Sequence, residues 1–350
     1  MNEENVKALT IQRIREIGDT VIPTKFKELK GLDTFYTHVE PDELLATTEI
    51  VLVSTQASSA SKRDDEFDVN QTYLCIVPGL EGLHNRFDYM CERLKLSALV
   101  LQPGLDRPNE TIQETAKKYA EVFLKRIGHK DKFYILGYEW GIPVALEVAF
   151  ILESQGMIGT IFCVGLEPEE LKVALEEELN EYKTEEELEN GVLKHMFKLM
   201  TGDKYTGLDE MLRGCSSWEK KVEECVRTLL GRVSHSAQYT RALLQAALGR
   251  IAEARRYSSA LPPLRSRVVL LRSRRAVPAS PQQLDALTSG EVSVHELSAP
   301  LGHAARDARC AAIVNSYLDP ELLHNFHNKN LCDTYLLNAD TFMNFTNEFD

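Results

Sequence analysis

The stretch KFYILGYEWGIPVALEVAF, residues 132–150, constrains the fold more than any other part of the chain. It begins as an apolar run with the aromatic and branched residues of a strand and ends as an apolar run of helical length. Between them lie Gly137, Tyr138, Glu139, Trp140 and Gly141. Small residues two places either side of a centre let a strand turn abruptly into a helix, with the middle side chain held at the tip in a strained backbone conformation. That middle residue is Glu139. A chain built this way needs a buried strand before the turn and a helix that lies back on the sheet after it.

The neighbouring pattern supplies both. Residues 73–82, YLCIVPGLEG, form a short apolar run that ends in a glycine turn, and 98–104, ALVLQPG, form a second. Residues 111–128 predict a helix with Thr111 at its cap and Gly128 just past its end. Pro143 suits the first turn of the helix after Gly141, and 159–165, GTIFCVG, predict another buried strand. Strand pattern returns at 267–271 and 291–297, with a closing helix at 304–318. The expected fold class is therefore α/β, a mostly parallel sheet with right-handed crossovers.

Residues 167–260 read as a helical insertion, with eleven glutamates between 167 and 190 that mark solvated faces. Residues 1–18 form an amphipathic pattern, with Val6, Leu9, Ile11, Ile14 and Ile17 on one side. The small, polar stretch 54–68 suggests that 19–70 is a linker, with the main domain over 71–320 and a tail at 321–350.

A net charge of −13 argues against nucleic acid as a partner. The seven cysteines include no C-x-x-C pair, so neither zinc nor redox chemistry is suggested and no metal is expected. The N-terminus lacks a secretory apolar core, and no run reaches the length of a membrane span, which makes the cytoplasm the expected location. The sequons at Asn70, Asn109 and Asn344 then carry no meaning.

GYEWG (137–141) resembles the GYSYG elbow of fatty acid synthase thioesterases, and IVPGLEG (76–82) is similar to their VHPIEG turn. IFCVGLEP (161–168) resembles the family's FLFDGSP strand, and SVHELSAPLGHAARD (293–307) its VHVIEGDH segment. The resemblance, to the animal or insect type of synthase, covers residues 72–318 and implies an α/β-hydrolase fold whose helical insertion shapes an acyl groove. It implies a long-chain acyl thioester or fatty acid as ligand, an acyl carrier protein as partner and hydrolysis as the family activity. ENVKALTIQRIREI (4–17) resembles the closing helix of an acyl carrier domain, but the phosphopantetheine serine of such a domain is missing, so no cofactor is expected.

Carried over residue by residue, the serine nucleophile falls on Glu139, the orienting aspartate on Val164 and the base on His303. The resemblance also implies oxyanion-hole amides at Leu80 and Trp140. A carboxylate attacking an acyl carbon yields a mixed anhydride rather than an ester, and its longer side chain fills the acyl position. Val164 leaves His303 without tautomer control, a loss of about 10⁴ in kcat where measured in triads. Impaired hydrolysis is the expectation. Two alternatives stay open: an active hydrolase with altered chemistry at Glu139 and His303, or a non-catalytic acyl-binding protein. Glu167 and Asp285 are candidates for a relocated acid, and Glu81 is read as bonding the amides of its own turn.

Overall fold

The computed structural model describes residues 31–45, 51–54, 72–128, 130–202, 206–274 and 286–318. Among the described residues, seven strands form one sheet in the order β1-β3-β2-β4-β5-β6-β7. They are β1 (Val51–Ser54), β2 (Leu74–Val77), β3 (Ala98–Gln102), β4 (Lys132–Tyr138), β5 (Ile158–Gly165), β6 (Arg267–Arg274) and β7 (Val292–Pro300). Every pairing is parallel except β1 with β3.

Among the described residues the helices are α1 (Asp88–Cys91), α2 (Ile112–Ile127), α3 (Gly141–Ser154), α4 (Pro168–Leu179), α5 (Glu185–Thr201), α6 (Leu208–Arg213), α7 (Trp218–Leu229), α8 (Ala237–Arg256) and α9 (Ala308–Ser316). The predicted cap of α2 is present as a full capping box between Thr111 and Glu114, and Gly128 ends the helix with a φ of 82°. α4 to α8 lie between β5 and β6 in the chain.

The strands read as unbroken apolar runs because both sheet faces are covered. Cys75, Leu99, Ile135, Ile161 and Leu270 belong to the core that includes α2, α3 and the inserted helices. Their neighbours Leu74, Val100, Leu136, Phe162 and Val269 point the other way, into a smaller core with Phe87, Met90 and α9.

The chain before residue 70 departs from the expected linker. Residues 31–45 bury Leu32, Phe35, Tyr36 and Leu45, and Val51–Ser54 form an edge strand of the sheet. The segment is tied to the insertion by Tyr36 Oη donating to the Ala247 carbonyl at 2.9 Å and by His195 Nε2 against the Tyr36 carbonyl at 2.8 Å. Linker composition in 54–68 therefore does not extend to its neighbours, whose apolar residues are sparse but individually large. The expected helix at 1–18 and the tail at 321–350 lie outside the described residues.

Candidate functional site

β4 turns into α3 within one residue. Glu139 has a φ of 50°, and among the described residues it is the only non-glycine with positive φ. The flanking glycines are sterically required. A Cβ on Gly137 would lie 2.6 Å from Ile142 Cα, and one on Gly141 would overlap the Val77 carbonyl oxygen and stand 2.6 Å from that of Pro78. The Glu139 amide donates to the Val164 carbonyl at 2.7 Å, and its carbonyl accepts from the Ile142 amide at 2.9 Å to begin α3. The tip is thus pinned to the end of β5 on one side and to a helix on the other.

A nucleophile at such a tip is held out toward substrate, but Glu139 is only 3% exposed. Its Oε1 accepts the Gly302 amide at 2.6 Å, which links the elbow to the turn that carries His303. It also bonds the Tyr138 side chain. Arg86 lies alongside, pairing with Glu81 and donating to the Gly302 carbonyl at 2.6 Å and the Tyr138 hydroxyl at 3.5 Å. Burial pulls the Arg86 pKa down, but Glu81, Tyr138 and Glu139 outweigh it and hold the guanidinium above its ordinary range. Elbow, glycine turn and His303 turn are joined in one buried polar cluster.

Burial pushes the Glu139 carboxyl up to about 7, against 4.5 for a free glutamate; Arg86, Gly302 and Tyr138 oppose the shift and Glu81 adds to it. Between those two pH values the folded chain keeps a proton that the unfolded chain releases, so this group's contribution to stability falls as pH rises. The whole effect is on the order of 3 kcal/mol. Glu139→Gln carries no charge at any pH. Its denaturation midpoint is expected to match wild type near the acid end of the window and to exceed it above neutrality; parallel curves for the two proteins would rule out a buried, titrating carboxyl.

The other expected site residues separate into those brought to the elbow and those held elsewhere. His303 caps the short helix Ala304–Arg306, and burial, then Arg86 and Arg306, hold its imidazole below the ordinary value, hence neutral at neutral pH. Val164 is fully buried in the smaller core, with only its carbonyl engaged at the elbow. Leu80 sits in the turn closed by the Gly82 amide on the Gly79 carbonyl at 3.1 Å, and Trp140 is the N-cap of α3.

Glu167 pairs with Arg272 and caps α4, which is a structural use of its carboxylate. Asp285 lies outside the described residues. Glu81 does not bond its own turn. It accepts from the amide and hydroxyl of Thr37 and from Arg86, because residues 31–45 cross directly above it.

Sequence reasoning misses Arg86, Tyr138 and Thr37. A single arginine in HNRFDY has no periodicity or partner spacing to mark it, and its carboxylates come from other segments. The only available signal is Tyr138 itself, an inward aromatic with a hydroxyl at the end of a core strand. Among the described residues no group of His, Cys, Asp and Glu is placed to hold a metal ion, and no helix is long and apolar enough to cross a membrane.

No family model and no curated protein matches the sequence. Solved structures match its fold. A four-domain nonribosomal peptide synthetase bound to AMP and glycine is similar over 71% of this chain at 16% identity and a TM-score of 0.53, with the chain spanning 20% of that much longer protein. The Vlm2 thioesterase domain bound with a dodecadepsipeptide is similar over 71% of this chain and 97% of its own length, at 14% identity and a TM-score of 0.50. The fold is the α/β-hydrolase fold of thioesterase domains.

Proposed function

We propose that this chain is a thioesterase-like domain of the fatty acid synthase kind that binds long-chain acyl groups but hydrolyses their thioesters poorly or not at all. The observation that carries the reading is the position of Glu139. It holds the elbow backbone conformation of a nucleophile, yet its carboxylate is buried against the Gly302 amide. Acyl transfer needs an acyl carbon about 3 Å from both the nucleophile and the oxyanion amides. A carboxyl that is 3% exposed and held by the Gly302 amide is not presented to such a carbon. His303, neutral and beside Arg86, has the protonation of a base, but Val164 offers no acceptor to fix its tautomer.

On this reading an acyl carrier protein is the partner that presents the acyl chain, residues 1–18 are the closing-helix segment of such a carrier domain, and the chain works in the cytoplasm. The shared fold with a thioesterase domain supports the substrate class.

The test is hydrolysis of palmitoyl thioester by wild type, Glu139→Ser and Glu139→Ser with Val164→Asp. Wild type is expected at the uncatalysed rate, and the double variant at least about tenfold above it, since triad, binding and oxyanion terms act as a unit. Steady wild-type turnover that disappears in His303→Ala would overturn the proposal. A mass adduct on Glu139 would then favour an active hydrolase with altered chemistry.

A further inference from the structure

Residues 37–44 arch between two buried anchors. Phe35 and Tyr36 are 2% and 3% exposed before the arch and Leu45 is 3% exposed after it, whereas each residue from Thr37 to Leu44 is half-buried or exposed and none lies in a helix or strand. Segments with so little buried surface open locally while the rest of the fold stays intact. The inner end of the arch is tied to the glycine turn: the Thr37 amide and hydroxyl both donate to Glu81 Oε1, the hydroxyl at 2.9 Å. The outer end is tied to the loop before α8. There His235 Nε2 stands 2.6 Å from the Glu40 carbonyl, Ser234 donates to the Pro41 carbonyl, and Glu43 accepts the Ser236 amide.

One side chain carries the inner end to the elbow. The other Glu81 oxygen, Oε2, pairs with Arg86, which also donates to the Gly302 carbonyl at 2.6 Å, and the Gly302 amide is the donor to Glu139. We infer that residues 37–44 are a regulatory strap. Seated, the strap keeps water from Glu81 and holds Arg86 divided between two carboxyls; lifted, it wets Glu81 and leaves Arg86 to Glu139, so that the elbow and the inserted helices respond to one another. The inference rests on the elbow as the functional site named above, and not on whether that site hydrolyses thioesters.

The sign of the coupling follows from the charges. Glu81 is 5% exposed under the strap, and its attraction to Arg86 is strong only while water is excluded. Wetting reduces it to that of a screened surface pair. Arg86 opposes the rise in the Glu139 pKa and Glu81 adds to it, so lifting the strap strengthens the first influence and weakens the second. Glu139 then gives up its proton more readily. By reciprocity, loss of that proton as pH rises favours the lifted strap by the same factor.

Other groups near Glu139 are Tyr138, which burial keeps neutral, and His303 beside Gly302, which burial holds below its ordinary value. The strap has charges of its own in His38, Glu40, Asp42 and Glu43. Facing it are His235 and Arg250 from the insertion and Asp88 from α1. All of these remain in Glu139→Gln, and that variant therefore isolates the elbow.

Hydrogen exchange of the strap amides, read by mass spectrometry between about pH 5.5 and 8.5 and corrected for the intrinsic rate, tests the coupling. Strap opening in wild type is expected to increase across this interval at least about fivefold more than in Glu139→Gln. A second arm works from the outer end. Ser234→Ala with His235→Ala removes two of the outer bonds and changes no member of the elbow cluster; it is expected to raise strap exchange throughout. The infrared band of the protonated Glu139 carboxyl, identified by its loss in Glu139→Gln, is then expected to vanish at least about half a pH unit below its wild-type midpoint. Circular dichroism confirms folding, and Ser234→Ala alone serves if the double variant does not fold. Equal pH dependence in wild type and Glu139→Gln would overturn the inference. So would absence of the carboxyl band, a strap that does not loosen in the folded variant, or a loosened strap with an unmoved carboxyl midpoint. Hydrolysis of palmitoyl thioester by wild type bears on the reading of the elbow alone and leaves both arms to be read separately.

Discussion

Gly141→Ala is expected to cost at least about 4 kcal/mol, enough to leave much of the chain unfolded at room temperature given ordinary stabilities of about 5–15 kcal/mol. The added carbon meets backbone, the carbonyls of Val77 and Pro78, at the end of a central parallel strand. Neither can retreat without loosening β2 from β3 or β4. A paired control isolates the cause. Gly156 has a φ of 86° and nothing within 4 Å of where a Cβ would stand, so Gly156→Ala carries only the cost of a left-handed backbone, roughly 1 kcal/mol. Urea denaturation of both variants checks the difference. A loss at Gly141 no larger than at Gly156 would mean that the elbow and the glycine turn yield easily, contrary to the close approach described.

Arg86→Met is expected to cost about 3–5 kcal/mol, the usual result of removing one member of a buried ion pair. Methionine retains much of the volume, so the loss is electrostatic. Glu81 loses its guanidinium, the Gly302 carbonyl loses a donor, and Glu139 loses the positive charge that opposes its rise in pKa. The sign of the pH dependence follows. With Arg86 gone the Glu139 pKa moves further up, so the folded chain holds its proton over a wider interval and the deficit grows with pH above neutrality. Adding Glu139→Gln to Arg86→Met is expected to recover part of that deficit at alkaline pH and almost none near pH 5. Strict additivity of the two changes at alkaline pH would show that Arg86 and Glu139 do not interact.

The elbow was legible because steric necessity writes itself into local sequence. Gly137 and Gly141 sit within a few residues of the turn they permit, and strand and helix runs flank them. The parallel sheet was legible for the same reason, since burial on both faces gives continuous apolar runs. Long-range electrostatics left no such trace. Arg86 gains its role from Glu81, Tyr138 and Gly302, the last 216 positions away. Glu81 likewise bonds Thr37, 44 positions upstream. Burial of Glu139 could not be read from its neighbours in sequence either, because a glutamate in a turn ordinarily faces water. The segment 31–45 escaped because three large side chains, Leu32, Phe35 and Tyr36, anchor it without any repeating pattern.

That segment also sets an order of events during synthesis. Tyr36 bonds Ala247, 211 residues later, and Ser236 donates its amide to Glu43, 193 residues apart. At about 5–20 residues per second, the N-terminal piece waits roughly 10–40 s before its receiving helix leaves the ribosome. Until then the Tyr36 hydroxyl lacks its acceptor and Glu43 lacks the amide it binds. The N-terminal segment is therefore fully seated only once α8 is made, well after β2 to β5 are available to carry the elbow.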